Sequence, residues 1–193
     1  EHTIQKEAKL VAFTFDDGPS KYTLDIANIL EEYNASATFF EVGYNIKAHP
    51  EITKELSERG FEIANHTTDH SKLTKLTETK YLSKINDNNA LFKELTGKDM
   101  PYLRPPYGSY NDKIKASAGV PIVTWSLDTR DWESRNKDKV IEMVMNNIKE
   151  GDIILFHDLY ESTRNAVKEL MPLLKEQGYQ AVSVGELFKS KGI

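Results

Sequence analysis

Apolar residues along the chain gather into short continuous runs, separated by longer stretches with helical spacing. The first run, Leu10-Val11-Ala12-Phe13-Thr14-Phe15, is rich in β-branched and aromatic types and stops at the turn signal Asp16-Asp17-Gly18-Pro19. It reads as an interior strand. Thr23 to Tyr33 then puts Ile26, Ile29, Leu30 and Tyr33 on one helical face. Ala37 to Phe40 reads as a second strand. Pro50 suits a first helical position, with a helix through Arg59 stopped by Gly60. Phe61 to Asn65 is a third strand that runs into His66. Thr77 predicts the cap of a long helix to Thr96, with Tyr81, Ile85, Phe92 and Leu95 inward and Gly97 at its end.

The second half repeats the pattern. Tyr102 to Arg104 and Ile122 to Ser126 read as short strands, with a helix from Asp112 to Ala118 between them. A helix over Asn136 to Lys149 precedes Ile153 to Phe156, the most apolar strand. The helix from about Thr163 to Gln177 contains Pro172, which predicts a kink or a late start. A strand closing at Val182 and a short helix over Gly185 to Lys189 finish the chain. About seven strands alternating with helices imply an α/β fold with a parallel sheet, as a small irregular barrel or an open doubly wound sheet. In both, ligands bind beyond the C-terminal strand ends. Asp16-Asp17, His66 with His70, Arg104, Asp128 with Asp131, and His157 all fall there.

Composition narrows the function. The 193 residues suit a single domain, with residues 1–9 as a polar lead-in. A net charge of -5 offers no basic footprint for nucleic acid, and no apolar run reaches the length of a membrane span. The absence of cysteine excludes disulfides, thiolate ligands and cysteine nucleophiles. The chain opens on Glu1 rather than Met and reads as a processed or trimmed piece, so a signal or anchor is expected outside it.

The strand-end residues form a chemical set. Adjacent carboxylates at Asp16 and Asp17 raise one another's pKa unless a cation offsets them. Neighbours in extended chain point to opposite sides, so the two are expected to divide metal binding and proton handling. His66 and His70, four apart, would share one face of a helical turn and suit a borderline-soft divalent metal. Thr67 stands where a metalloprotease HExxH motif has Glu. Arg104 can clamp a carboxylate, Asp131 can orient an imidazole, and His157 at a strand tip can be tuned near neutrality. Tyr107, Tyr110, Trp132 and Tyr160 all lie in loops after strands and predict a shallow aromatic cleft there.

Thr14 to Pro19, His66 to His70, Arg104 to Gly108, Asp128 to Trp132, and Leu155 to Asp158 together resemble, in order, the five signatures of carbohydrate esterase family 4, the NodB-homology polysaccharide deacetylases. The resemblance implies a distorted (β/α) barrel of about seven parallel strands, and bacterial cell-wall deacetylases are its nearest likeness. It assigns Asp16 as general base and Asp17, His66 and His70 as ligands of one divalent metal, zinc first, with cobalt or nickel as options. Arg104 then positions the base, and Tyr107 offers its backbone N–H to the oxyanion. His157 is the general acid with Asp131 as partner, while Trp132 and Leu155 line the acetyl-methyl pocket. Glu41 departs from the apolar residue that many relatives carry.

The implied activity is N-deacetylation of N-acetylglucosamine in peptidoglycan or chitin-type oligomers, by a monomer outside the cell or on its surface. The alternatives are an O-acetyl esterase on acetylxylan, a non-catalytic carbohydrate-binding module and a metal-dependent phosphoesterase.

Overall fold

The computed structural model describes residues 2–193. The apolar run at its start forms β1 (Lys9–Asp16), buried through its last six residues as an interior parallel strand is. Along Thr14–Asp16 it pairs with β2 (Thr38–Glu41), and along Ala12–Asp16 with β5 (Ile153–His157). Its first half pairs with β6 (Tyr179–Val182). Beyond β2 lies β3 (Glu62–Asn65), and beyond β5 lies β4 (Leu127–Asp128). Every pairing is parallel.

The predicted strands at Tyr102–Arg104 and Ile122–Ser126 shrink to single parallel bridges, Asn65 to Leu103 and Leu103 to Ile122. Pro101, Pro105, Pro106 and Pro121 flank these bridges and cannot donate to a ladder. Six strands therefore form where seven are expected, with the ladder taken up again at Leu127–Asp128. Among the described residues no ladder joins Ile122 to β4, so the sheet curls into a barrel that stays open on that side.

Helices cover the outside: α1 (Thr23–Glu32), α2 (Gly43–Ala48), α3 (Pro50–Glu58), α4 (Glu78–Thr96), α5 (Asp112–Ser117), α6 (Asp131–Ser134), α7 (Lys137–Asn147), α8 (Glu161–Glu176) and α9 (Val184–Ser190). Alternation along β1 sorts the core. Phe13 and Phe15 face outward, and Phe15 stacks at 5.2 Å on both Phe39 and Phe156 beneath the helices. Ala12, Phe40, Ala64 and Val182 face the barrel interior. The buried Arg104 side chain lies on this side too, with its Cζ 4.1 Å from the Phe40 ring centroid.

Pro172 does not delay α8 or end it. The helix begins at Glu161 and runs through. Pro172 and Lys168, whose carbonyl loses its partner, both lie on the exposed face, while Val167, Leu170, Met171 and Leu174 anchor the buried one. Thr77 stands at the α4 N-cap but its side chain makes no capping bond; Gly97, at φ 75°, ends that helix as expected. Helices α2 and α6 have no counterpart in the sequence reading, being too short to show a period. The polar lead-in is docked: Gln5 N donates to Gln180 Oε1 at 2.9 Å, and His2 Nε2 lies 2.9 Å from Glu186.

Candidate active site and metal centre

Asp16 and Asp17 do not point to opposite sides. Asp17 has already left the strand, with φ at 79°, and the left-handed turn swings its carboxylate into the same cleft as that of Asp16. Asp17 Oδ1 lies 3.2 Å from His66 Nε2 and 3.3 Å from His70 Nε2; Asp16 Oδ2 lies 3.6 Å from His66 Nε2. The histidine pair is also not helical. His66 follows β3 directly, and the loop brings His70 round through positive φ at Thr67 (70°) and His70 (62°). Amides hold that loop: Asn65 Oδ1 accepts from Thr67 N at 2.7 Å and from Asn88 Nδ2 at 2.9 Å. Each left-handed non-glycine residue costs roughly 1 kcal/mol or more, and three stand around one point.

The donor set fits a cation. Nitrogen and oxygen atoms of Asp17, His66 and His70 all lie within 4.8 Å of one another. Asp17 Oδ1 is buried, and neither imidazole meets it with hydrogen-bond geometry. His66 Nδ1 is 2.5 Å from the Arg104 carbonyl, so it carries the proton and leaves the Nε2 lone pair facing Asp17. Burial would push the Asp17 carboxyl up, but His66, His70 and the charge of His157 hold it well below the carboxylate range. Two imidazole nitrogens and one carboxylate are the donors a zinc-like divalent ion takes.

Two clamped groups flank this triad. Arg104, fully buried, donates from Nη1 to Asp16 Oδ1 and Thr14 Oγ1 at 2.8 Å each, and from Nε and Nη2 to the carbonyls of Val123 and Thr124. Asp16 is thereby fixed by one oxygen while the other faces the cleft. Beside Asp16, in register on β5, stands His157. Its Nδ1 lies 2.8 Å from Asp131 Oδ1, and its Nε2 is 4.0 Å from Asp17 Oδ2. Asp131 also accepts from His157 N, Trp132 N and Thr163 Oγ1. Burial pulls the His157 imidazole down, but Asp131, helped by Asp16 and Asp17, pushes it up to about 9. That is well above the neutrality expected from the sequence.

Asp16, Asp17, His66, His70 and His157 line a cavity of about 370 Å³ together with Tyr107, Asp128, Trp132, Leu155 and Tyr160, while Arg104 and Asp131 stand behind it. Leu155 is buried and Trp132 is 47% exposed, so one wall is closed and the other open. Tyr107 has φ 63°, and among the described residues no protein acceptor meets its N–H. Its ring packs edge-on against His70 at 4.8 Å. Tyr110 stands outside the lining. Trp125, at the end of the predicted strand Ile122 to Ser126, is part of the wall. Gly108 lets the Pro106–Gly108 turn close on it, since a Cβ there would sit 2.9 Å from the indole. Thr14 and Thr163 also escaped the sequence reading. Thr14 carries a signal, being two residues before Asp16 on the same strand face. Thr163 carries none, 32 residues away from the aspartate it meets.

Comparison with known proteins gives the family. Residues 3–123 match the family model of polysaccharide deacetylases. The peptidoglycan-N-acetylmuramic acid deacetylase PdaC of Bacillus subtilis is 35% identical over 192 residues, covering 99% of this chain and 41% of that protein. A peptidoglycan-N-acetylglucosamine deacetylase of Bacillus cereus is 36% identical over 97% of this chain and 92% of its own length. The solved structure of PdaC superposes with a TM-score of 0.95, at 35% identity over 98% of this chain and 94% of that one. A pseudoenzyme of carbohydrate esterase family 4 from Bacillus anthracis follows at 0.87, with 28% identity over 95% and 66%. The chain thus spans about two fifths of PdaC, and its length is close to that of the Bacillus cereus protein. The chain belongs to the polysaccharide deacetylase family.

Proposed function

We propose that residues 1–193 form one catalytic domain that hydrolyses the acetamido groups of peptidoglycan, those of N-acetylglucosamine foremost. One divalent cation, zinc by preference, sits on Asp17, His66 and His70. The observation that carries this reading is two clamped groups side by side at one cavity: a carboxylate fixed by a buried arginine and an imidazole fixed by a buried carboxylate. The relatives' names support the substrate.

Asp17, His66 and His70 would hold the cation, which when bound would polarise the acetyl carbonyl and acidify water beside it. Asp16, steadied through Oδ1, removes a proton from the attacking water with Oδ2. The Tyr107 N–H receives the developing oxyanion. His157, kept protonated by Asp131, delivers the Nε2 proton to the departing nitrogen, and acetate leaves. Leu155 and Trp132 are the apolar walls that would receive the acetyl methyl group. We place the enzyme at the cell wall as a monomer. Among the described residues, no helix is long and apolar enough to cross a membrane.

The test is acetate release from peptidoglycan, N-acetylglucosamine oligomers and acetylated xylan at matched acetyl content. Peptidoglycan and the oligomers should be preferred, and Asp16→Asn should retain metal while losing about a hundredfold or more in turnover. A strong xylan preference would make it an O-acetyl esterase, and no release from any of the three would leave a carbohydrate-binding module.

A further inference from the structure

Tyr160 is a shared wall. One side lines the catalytic cavity, and the other lines an open groove of about 590 Å³ that also includes Tyr22, Arg135, Lys137, Glu161 and Asn165. Arg135 is the groove's distinctive charge. It follows α6 with φ at 47°, donates from Nε to the Trp132 carbonyl at 3.0 Å, and lays its guanidinium 3.7 Å from the Tyr160 ring centroid. Backbone, hydrogen bond and ring thus fix it while it stays exposed. The neighbouring charges are paired: Lys137 Nζ lies 2.5 Å from Glu169, and Glu161 lies 3.3 Å from Arg164. No carboxylate among the described residues lies within ion-pair distance of Arg135. A guanidinium held on a ring with no carboxylate partner of its own suits recognition of a carboxylate. The chain as a whole carries -5, which repels an acidic polymer and leaves attraction to such a local group.

We propose that Arg135, laid on Tyr160, forms a subsite for a carboxylate carried by the glycan beside the acetamido group being cleaved, so that an acidic polymer is preferred to a neutral one. This rests on the peptidoglycan reading. Peptidoglycan offers such carboxylates on the lactyl group of muramic acid where no peptide is attached, and on stem peptides where one is.

The experiment measures acetate release by the zinc-loaded chain on three substrates: neutral N-acetylglucosamine oligomers, glycan strands stripped of peptide, and strands bearing stem peptides. Arg135→Gln should raise KM on at least one acidic substrate about five- to tenfold, with kcat within about twofold and the neutral oligomers unaffected. The strand type showing the larger loss identifies the carboxylate. Arg135→Lys should recover part of the loss. Raising salt from about 0.05 to about 0.5 M should raise KM on acidic strands for the parent but not for Arg135→Gln. Unchanged KM on both acidic substrates would overturn the subsite. So would an equal loss on neutral oligomers, which would make Arg135 a mere prop for Tyr160. A parent chain inactive on all three would sink the deacetylase reading and the subsite with it.

Discussion

Asp131 has no exposed surface and takes four hydrogen bonds, two of them from His157. Its geometry and its charge can be separated by Asp131→Asn. The replacement keeps the volume but removes the charge that pushes His157 up to about 9. Burial then prevails, and the imidazole loses its proton at lower pH. If protonated His157 is the acid, the alkaline limb of kcat/KM should move to lower pH while the acidic limb stays. Turnover near pH 8 should fall by about a hundredfold or more. An unmoved alkaline limb in pH–rate profiles would dissociate this pair from the proton transfer. The pairing was implied by the family resemblance; position alone offered an imidazole at the end of β5 and a carboxylate a few residues beyond a strand, with nothing to join them. The disposition of Asp16 and Asp17 was not legible. Period-two alternation applies only inside a strand, and Asp17 has already turned out of it. The HxxxH spacing misled in the same way, since a loop with two left-handed residues gives the convergence a helical turn would have given.

Between elements, the joint of β2 with α3 holds an unusual group. Phe40 faces the barrel, so Glu41 faces outward beneath α3, fully buried, with Oε1 accepting from Thr53 Oγ1 at 2.7 Å and Oε2 without a partner. Burial pushes this carboxyl up to about 8; Thr53 opposes the shift, and the buried Asp158 adds to it. The folded-state value exceeds the unfolded value of 4.5. The group's contribution to stability is therefore full below about 4.5 and is lost as pH climbs through about 8. Glu41→Gln keeps an acceptor for Thr53 and cannot ionise. It should stabilise the fold by about 1 kcal/mol or more at pH 8 and change little at pH 4.5. Urea unfolding at the two pH values decides; equal losses at both would mean that Glu41 has a compensating partner. Legibility at this scale follows length only in part, since α5, as short as α2, was read almost to its bounds. Helices α1, α4, α7 and α8 show an apolar face over at least two turns and were read to within about two residues. Helices α2 and α6, at six and four residues, are set by what surrounds them.

For the molecule as a whole, alternating apolar runs and amphipathic stretches were enough for a parallel α/β fold. They were not enough to choose between barrel and open sheet. That choice depends on residues 101–128, where prolines break the ladder into bridges and no period survives. The same architecture makes the candidate metal centre a long-range tie. Asp17 comes from the end of β1, and His66 and His70 from beyond β3, with β2 lying between them. The donors converge only when those three strand ends are in register, so a cation held by them binds the folded state in preference to the unfolded one. Free zinc at about a hundred times its dissociation constant should then add about 2.7 kcal/mol. For a chain of this size that corresponds to a rise of roughly 5–10 °C in Tm. Thermal unfolding of the parent should show this rise with zinc and lose it with a chelator. Asp17→Asn and His70→Ala should unfold at one temperature whether zinc is present or not. A His70→Ala variant that gains as much from zinc as the parent would move the metal to other residues. A parent whose Tm no first-row divalent ion shifts would leave the triad as an ion-pair cluster alone.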